Sequence, residues 1–397
     1  MKVIKGNIAS PLGFSADGLH AGFKKRKLDF GWIVSEKPAS VAGVYTTNKV
    51  IAAPLIVSRE SMKKAQKMQA VVVNSGVANS CTGSQGMEDA VSMQKWTADK
   101  LQIDPDLVGI ASTGVIGSLL PMDVLQKGLA KLVVNGNSDD FAKAILTTDT
   151  AVKTVAVTEQ FGRDEVTMAG VAKGSGMIHP NMATMLAFIT CDANISSKTL
   201  QLALSQNVET TFNQITVDGD TSTNDMVLVL SNGCSLNKEI LPNTAEFEKF
   251  SAMLHFVMQE LAKKIAKDGE GATKLIEVEM LNAPNSLDAR MLAKSVVGSS
   301  LVKTAIFGED PNWGRILAAV GYADIDLPVD NIDIYLADIP VMLTSSPVTF
   351  DEEDMQDVMQ ADTIKIVIDL HAGESTGKAW GCDLSYDYVK INALYRT

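Results

Sequence analysis

The segment "MQAVVVNSGVANSCTG" (68–83) constrains the fold more than any other. Its apolar run is short and ends in a polar, glycine-containing loop, which reads as a buried strand. Such a strand needs cover, and the next residues supply it. In "GMEDAVSMQKWTADKLQ", Met87, Ala90, Val91, Ala98 and Leu101 share one helical face, interrupted only by Gln94. The pattern then repeats. "LVGIASTGVIGSLLP" (107–121) is a second strand running into a Thr-Gly loop, followed by helices in "PMDVLQKGLAKLVVN" and "SDDFAKAILTTD". The Asp-rich first turn of the latter complements the helix dipole. "MLAFITCDA" reads as a strand, and "SSKTLQLALSQNVETTFNQI" as a helix with Ser197 as N-cap. "VDGDTSTNDMVLVLSNG" is a polar loop feeding a strand. The longest helical pattern starts at "AEFEKF" and stops at Gly269. Alternation of this kind specifies an α/β protein.

From about residue 275 the texture changes to short strands and turns around "SSLVKTAIFGEDPNWGRILAAVG". A soft domain boundary is placed at 275–285, with 286–397 as a smaller α/β module. A length of 397 residues suits two domains or one large α/β unit. The net charge of −12, with no basic run longer than "KKRK" at 24–27, argues against nucleic acid as a partner. No 18-residue apolar run exists, so no membrane span is expected. Cys81, Cys191, Cys234 and Cys382 are scattered, as are His20, His179, His255 and His371. Neither a disulfide framework nor a metal site is expected, and the compartment is read as cytosolic. No dinucleotide or Walker fingerprint occurs, and no cofactor is expected.

The chemistry concentrates in "AKGSGMIHPNMATMLAFITCDA" (172–193), where Thr184 sits between a glycine-rich loop and a buried strand. A threonine hydroxyl is a poor nucleophile without a base. His179 is near in sequence, but Pro180 gives no regular geometry that would aim it. Scission of the Ala183–Thr184 bond would supply a free α-amine with a pKa near ~8, able to act as base for its own hydroxyl. Read alone, a threonine at a loop-to-strand junction is more often structural, bonded to local backbone.

"KGSGMIHPNMATML" closely resembles the self-cleavage and nucleophile segment of the ornithine acetyltransferase family, the bifunctional glutamate N-acetyltransferase and amino-acid acetyltransferase enzymes of arginine biosynthesis. The resemblance continues in order through "AGVYTTN", "VNSGVANSCTG", "STGVIG", "TTDT", "FNQITVDGDTSTND", "DGEGATK", "VKTAIFGEDPNWGRI" and the terminal "YRT". It implies self-cleavage between Ala183 and Thr184, giving an α chain 1–183 and a β chain 184–397. Thr184 is then the nucleophile, taking acetyl from N-acetylornithine and passing it to glutamate. Thr113 and Gly114 form the oxyanion hole, and Thr147, Lys173, Thr184, Glu270, Asn392 and Thr397 hold substrate. The chemistry is consistent: Glu270 would take the substrate's ammonium and Lys173 its carboxylate. The implied fold is an α-β-β-α sandwich of the N-terminal-nucleophile-like kind, with interlocked chains pairing as α2β2.

Val77 and Ser80 stand where the family usually shows asparagine and alanine. No residue tells whether acetyl-CoA is also a donor. An N-terminal-nucleophile amidohydrolase or aminopeptidase, and a non-catalytic amino-acid-binding homologue, are the competing expectations. The "DGDTSTND" loop (218–225) lacks the twelfth-position Glu and helix-loop-helix frame of a calcium site, and is read as a loop beside the active site. Trp313 in "GEDPNWGR" is read as core.

Overall fold

The computed structural model describes residues 1–179 and 185–394. Among these, a nine-stranded sheet is built from β1 (Lys2–Ile4), β2 (Phe14–Leu19), β3 (Phe30–Tyr45), β4 (Lys67–Val77), β5 (Val108–Val115), β6 (Lys153–Phe161), β7 (Asp164–Lys173), β8 (Leu186–Cys191) and β9 (Met226–Ser231). A second sheet of six contains β10 (Leu275–Ala283), β11 (Asp333–Leu336), β12 (Ile339–Leu343), β13 (Ser346–Pro347), β14 (Thr363–Asp369) and β15 (Ser375–Cys382). The first half carries helices α1 (Ala53–Ala65), α2 (Gly83–Leu101), α3 (Met122–Lys131) and α4 (Ser138–Ala144). Then come α5 (Ser197–Val208), α6 (Ala245–Lys267), α7 (Ser286–Gly298), α8 (Ser300–Phe307), α9 (Trp313–Gly321), α10 (Glu352–Gln360) and α11 (Tyr386–Leu394).

The large sheet runs β1-β6-β7-β8-β9-β3-β4-β5, with β2 also on β3. Its pivot is β3, whose register against β4 shifts between Val34 and Ala39. The first half of β3 pairs with β2 and β4, the second half with β9. Such an irregularity bends a strand, and the two parts of the sheet face one another. Ile33, Val71, Val73 and Ala111 from one part share a core with Val171, Leu186, Phe188 and Leu228 from the other. Strand residues alternate between faces, so the neighbours of these positions point outward. Trp32, Val72 and Ile110 pack under Met93 of α2 and Leu125 of α3. Ile189, Val227 and Val229 pack under Leu204 of α5 and Leu254 of α6. The result is the expected α-β-β-α sandwich.

The strand order places β8 and β9 between β7 and β3. β8 is antiparallel to β7 and parallel to β9, while β9 is antiparallel to β3. β7 and β8 flank the segment 180–184.

The second sheet packs α7 to α10 on one face and meets α6 on the other through Leu275, Trp380 and Cys382. It begins with β10, so this layer starts at Leu275 rather than at residue 286. Three helices, α7 to α9, occupy 286–321, where the sequence suggested strands and turns. Their runs are short and amphipathic, each opened by a capping side chain, Asn285, Ser299 or Asn312. Trp313 opens α9 and packs partly buried against the core of this second layer. α5 is capped by Ser196, whose hydroxyl accepts from Thr199 N, one residue earlier than expected.

A close approach explains Gly170 in β7. A Cβ there would lie 2.8 Å from both Leu261 Cδ1 and Val257 Cγ1 of α6. Gly170→Ala therefore overpacks this contact and lowers stability by about 1–3 kcal/mol, read as a shift in urea midpoint; an unchanged midpoint would show that α6 yields freely.

Candidate active site

A cavity of about 200 Å3 opens where the ends of β5, β7 and β8 and the loop before β9 meet α11. Its lining includes Thr113, Gly114, Thr147, Lys173, Asp225, Glu270 and Asn392. The geometry begins with backbone. β5 pairs in parallel with β4, and the register slips beside Gly76 and Gly114. Gly114 has φ +129°, and a Cβ on it would sit 2.3 Å from the Gly76 carbonyl carbon. Only glycine tolerates both the conformation and the contact. The neighbouring Thr113 hydroxyl accepts from the buried Lys173 Nζ at 3.3 Å. With an ammonium donating to its oxygen, that hydroxyl's own proton is turned elsewhere.

Asp149 organises the loops. It is buried, and its carboxylate accepts from Lys153 Nζ at 2.6 Å, from Gly174 N at 2.7 Å and from Thr147 N at 2.9 Å. Burial alone would raise its pKa, but the Lys153 and Lys173 charges and these hydrogen bonds outweigh it and hold the group at about 2. Lys153 also reaches Asp268 at 2.5 Å. The Lys173 pKa is also lowered, but for Lys173 this disfavours the charged form: burial outweighs the attraction of Asp149, Asp225 and Glu270.

Asp218 fixes the stretch before residue 180. Its carboxylate accepts from Met177 N at 2.6 Å, Ile178 N at 2.9 Å and Tyr388 Oη at 3.3 Å. Val217 N binds Ile178 O at 2.7 Å, and Thr221 Oγ1 binds His179 O at 3.0 Å. On the far side, Met226 N binds Met185 O at 2.9 Å. His179 and Met185, the described residues on either side of 180–184, are thus both tied to the stretch 217–226. The His179 ring shares a hydrogen bond with Thr216. Burial, with Lys294 nearby, lowers its pKa to about 4, which makes it a weak base at neutral pH.

Glu270 is buried and accepts from Asn392 Nδ2 at 2.8 Å. It passes so close to Gly176 that a Cβ there would lie 2.4 Å from the Glu270 carboxyl carbon. Tyr388 and Asn392 stand one turn apart on α11 and both face the cavity. Asp225 is also buried; its Oδ2 has no hydrogen-bond partner among the described residues, and burial pushes its pKa well above the ordinary carboxylate value.

Of the residues singled out from sequence, Thr113, Gly114, Thr147, Lys173, Glu270 and Asn392 line this one cavity. Ala183, Thr184 and Thr397 lie outside the described residues. Thr147 and Thr148 both line the cavity. The Thr148 hydroxyl is engaged with Ser175 at 2.8 Å; among the described residues the Thr147 hydroxyl is bonded to none. Sequence reasoning gave no role to Asp149, Asp218, Asp225 or Tyr388. The segments "TTDT" and "DGDTSTND" were signals for three of these, since both stood among the matching motifs.

The ArgJ family model matches residues 15–397. The chain belongs to the ArgJ family. A curated "arginine biosynthesis bifunctional protein" of Streptococcus mutans is 90% identical over the whole of both chains. Proteins of the same description in Staphylococcus epidermidis and Lactococcus lactis are 69% and 55% identical, also over the full length of each. A crystal structure of the Bacillus halodurans protein of that description is 52% identical, with a TM-score of 0.52. It covers 53% of this chain and 100% of its own.

Against the family pattern, the two departures lie in local structure. The Val77 carbonyl accepts from Asn74 Nδ2 at 2.9 Å, and the buried Ser80 gives its carbonyl to Gly117 N. Neither side chain is part of the cavity lining.

Lys153→Met leaves Asp149 and Asp268 facing each other without their shared cation, and should cost about 3–5 kcal/mol by denaturant titration. In the native protein the depressed Asp149 pKa contributes stability that is complete above the ordinary carboxylate value of 3.8. It is lost as pH falls from there towards about 2. Lys153→Met should flatten that acid limb, and an unaltered limb would remove Asp149 from the explanation.

Proposed function

We propose that the chain is an acetyltransferase of arginine biosynthesis, moving acetyl from N-acetylornithine to glutamate through an acetyl ester of Thr184. The observation that carries this is one of convergence. Ile178 and Met185, on either side of segment 180–184, line the same cavity as Thr113, Gly114, Lys173 and Glu270. The residues that flank the proposed nucleophile segment therefore share one cavity with Thr113, Gly114, a buried lysine and a buried carboxylate, which supports this reading. The names of the family relatives support an arginine-biosynthetic, bifunctional role.

In this reading the Ala183–Thr184 bond is cut first, giving chains 1–183 and 184–397. The complete Bacillus halodurans chain corresponds to 53% of this one, close to the share beyond residue 183, which supports such a division. The new Thr184 amine accepts the hydroxyl proton as Oγ attacks the acetyl carbonyl. His179 is unsuited to that task because its pKa is low and its ring is held by Thr216. The tetrahedral oxyanion receives the Thr113 hydroxyl, aimed by Lys173, and the Gly114 N–H. Collapse expels ornithine with the proton returned to its amine; the glutamate amine then attacks the ester and restores the Thr184 hydroxyl. Glu270, steadied by Asn392, takes the substrate ammonium, and Lys173 takes the carboxylate. Thr147 and Thr397 contribute polar contacts. Among the described lining residues, Asp218, Asp220 and Glu270, against one lysine, suit an amine-bearing substrate. A bifunctional enzyme also accepts acetyl-CoA as donor. The cut chains stay together, pair as α2β2 and work in the cytoplasm.

Thr184→Ala should leave one full-length band on a denaturing gel and no acetyl transfer; normal transfer by that variant would remove Thr184 from the mechanism. Thr113→Ala should still cleave or accumulate precursor, but kcat in matured material should drop about 10²–10³-fold, as for loss of one oxyanion donor. An unchanged kcat would exclude it. Acetate release independent of glutamate would favour a hydrolase.

A further inference from the structure

The loop between β2 and β3 carries the run Lys24-Lys25-Arg26-Lys27 in a chain of net charge −12. Lys25, Arg26 and Lys27 are exposed, and among the described residues no carboxylate forms an ion pair with any of them. The loop is not a loose one. The buried Asp29 carboxylate accepts from Ala21 N at 2.6 Å, Lys24 N at 2.8 Å and Gly22 N at 3.1 Å. The nearby acid thus shapes the backbone, and the three cations beyond it stay available.

The loop also sits beside the reacting end of the cavity. The Phe23 carbonyl and Lys24 Cγ lie about 3 Å from where a Gly76 Cβ would be, at 3.0 and 3.1 Å. Gly76 is the register partner of Gly114. Lys24 Nζ reaches across to the Leu146 carbonyl at 2.8 Å, next to the cavity residue Thr147. The carboxylates of the cavity come from elsewhere, the 218–225 loop and Glu270. A substrate amine and a polyanion would therefore be drawn to different sides of one site.

We infer that Lys25, Arg26 and Lys27 form a docking site for the phosphates of an acyl donor built on adenosine 3′,5′-bisphosphate, its acyl thioester reaching Thr113 and Gly114 along a flexible arm. The inference rests on the reading that acetyl-CoA is a second donor of this acetyltransferase. Arginine and lysine on a fixed loop recognise phosphate by charge-assisted hydrogen bonds. They also raise the local concentration of a polyanion that the rest of an acidic protein repels. N-acetylornithine has no phosphate and gains nothing from this loop.

The test is a comparison of both half-reactions in the matured native enzyme and in the variant K25E/R26E/K27E. The KM for acetyl-CoA should rise about ten-fold or more at low ionic strength, and its dependence on salt should fade. Kinetics with N-acetylornithine should be unchanged. Adenosine 3′,5′-bisphosphate should compete with acetyl-CoA in the native enzyme and lose that potency in the variant. An unaltered KM for acetyl-CoA, or an equal loss with both donors, would overturn the docking site while leaving the acetyltransferase reading intact. A native enzyme active with N-acetylornithine but inert towards acetyl-CoA would instead overturn the two-donor premise, and the docking site with it.

Discussion

The buried carboxylate of Asp149 is the contact on which the arrangement of the site depends. Taking a carboxylate out of water is costly unless hydrogen bonds and charge replace the lost solvent. Here they come from three separate places: Lys153 at the start of β6, the Gly174 amide after β7 and the Thr147 amide two residues upstream. Because every donor is needed, none of these elements can move independently. The loop bearing Thr147, the end of β7 bearing Lys173 and, through Lys153, the Asp268 end of α6 are locked together. Glu270 follows two residues after Asp268 and inherits that position.

Around this anchor the site is divided by protonation. Asp149 is held as an anion by its cations, whereas Asp225, buried with one oxygen unpartnered, is pushed towards the neutral acid. Lys173 lies between opposing influences: burial disfavours its charge, and three carboxylates favour it. Environments that push titratable groups in opposite directions within one small volume are typical of places where protons are moved. The glycines of the site have equally concrete causes. Gly114 is demanded by its backbone, and Gly176 by the passage of Glu270.

Several strands of the large sheet were readable because they are short apolar runs ended by polar, glycine-containing loops, whereas their arrangement as a sandwich was implied only by the family resemblance. "AVVV" in β4 and "MLAFIT" leading into β8 leave little other choice. The second layer was harder. Helices α7 to α9 are brief, and their apolar residues read equally well as strand fragments when the sheet they cover is unknown. Within the site, residues belonging to motifs were legible, whereas Asp149, Asp218 and Asp225 were not. An aspartate in a polar loop looks solvated in sequence, and only the fold reveals that Asp149 and Asp225 are buried and that Asp218 is engaged by backbone amides.

Strand order has one more consequence for a chain divided after residue 183. β8 and β9 belong to the second product, yet they lie wedged between β7 and β3 of the first. Pulling the products apart would require breaking both ladders at once and exposing the core between the layers. The divided protein would therefore persist through a high kinetic barrier to separation. Once lost, however, it would be hard to regain: joining the pieces would become a bimolecular encounter instead of closure within one polymer. Maturation of this kind runs in one direction only, with the precursor as the last species able to assemble itself unaided.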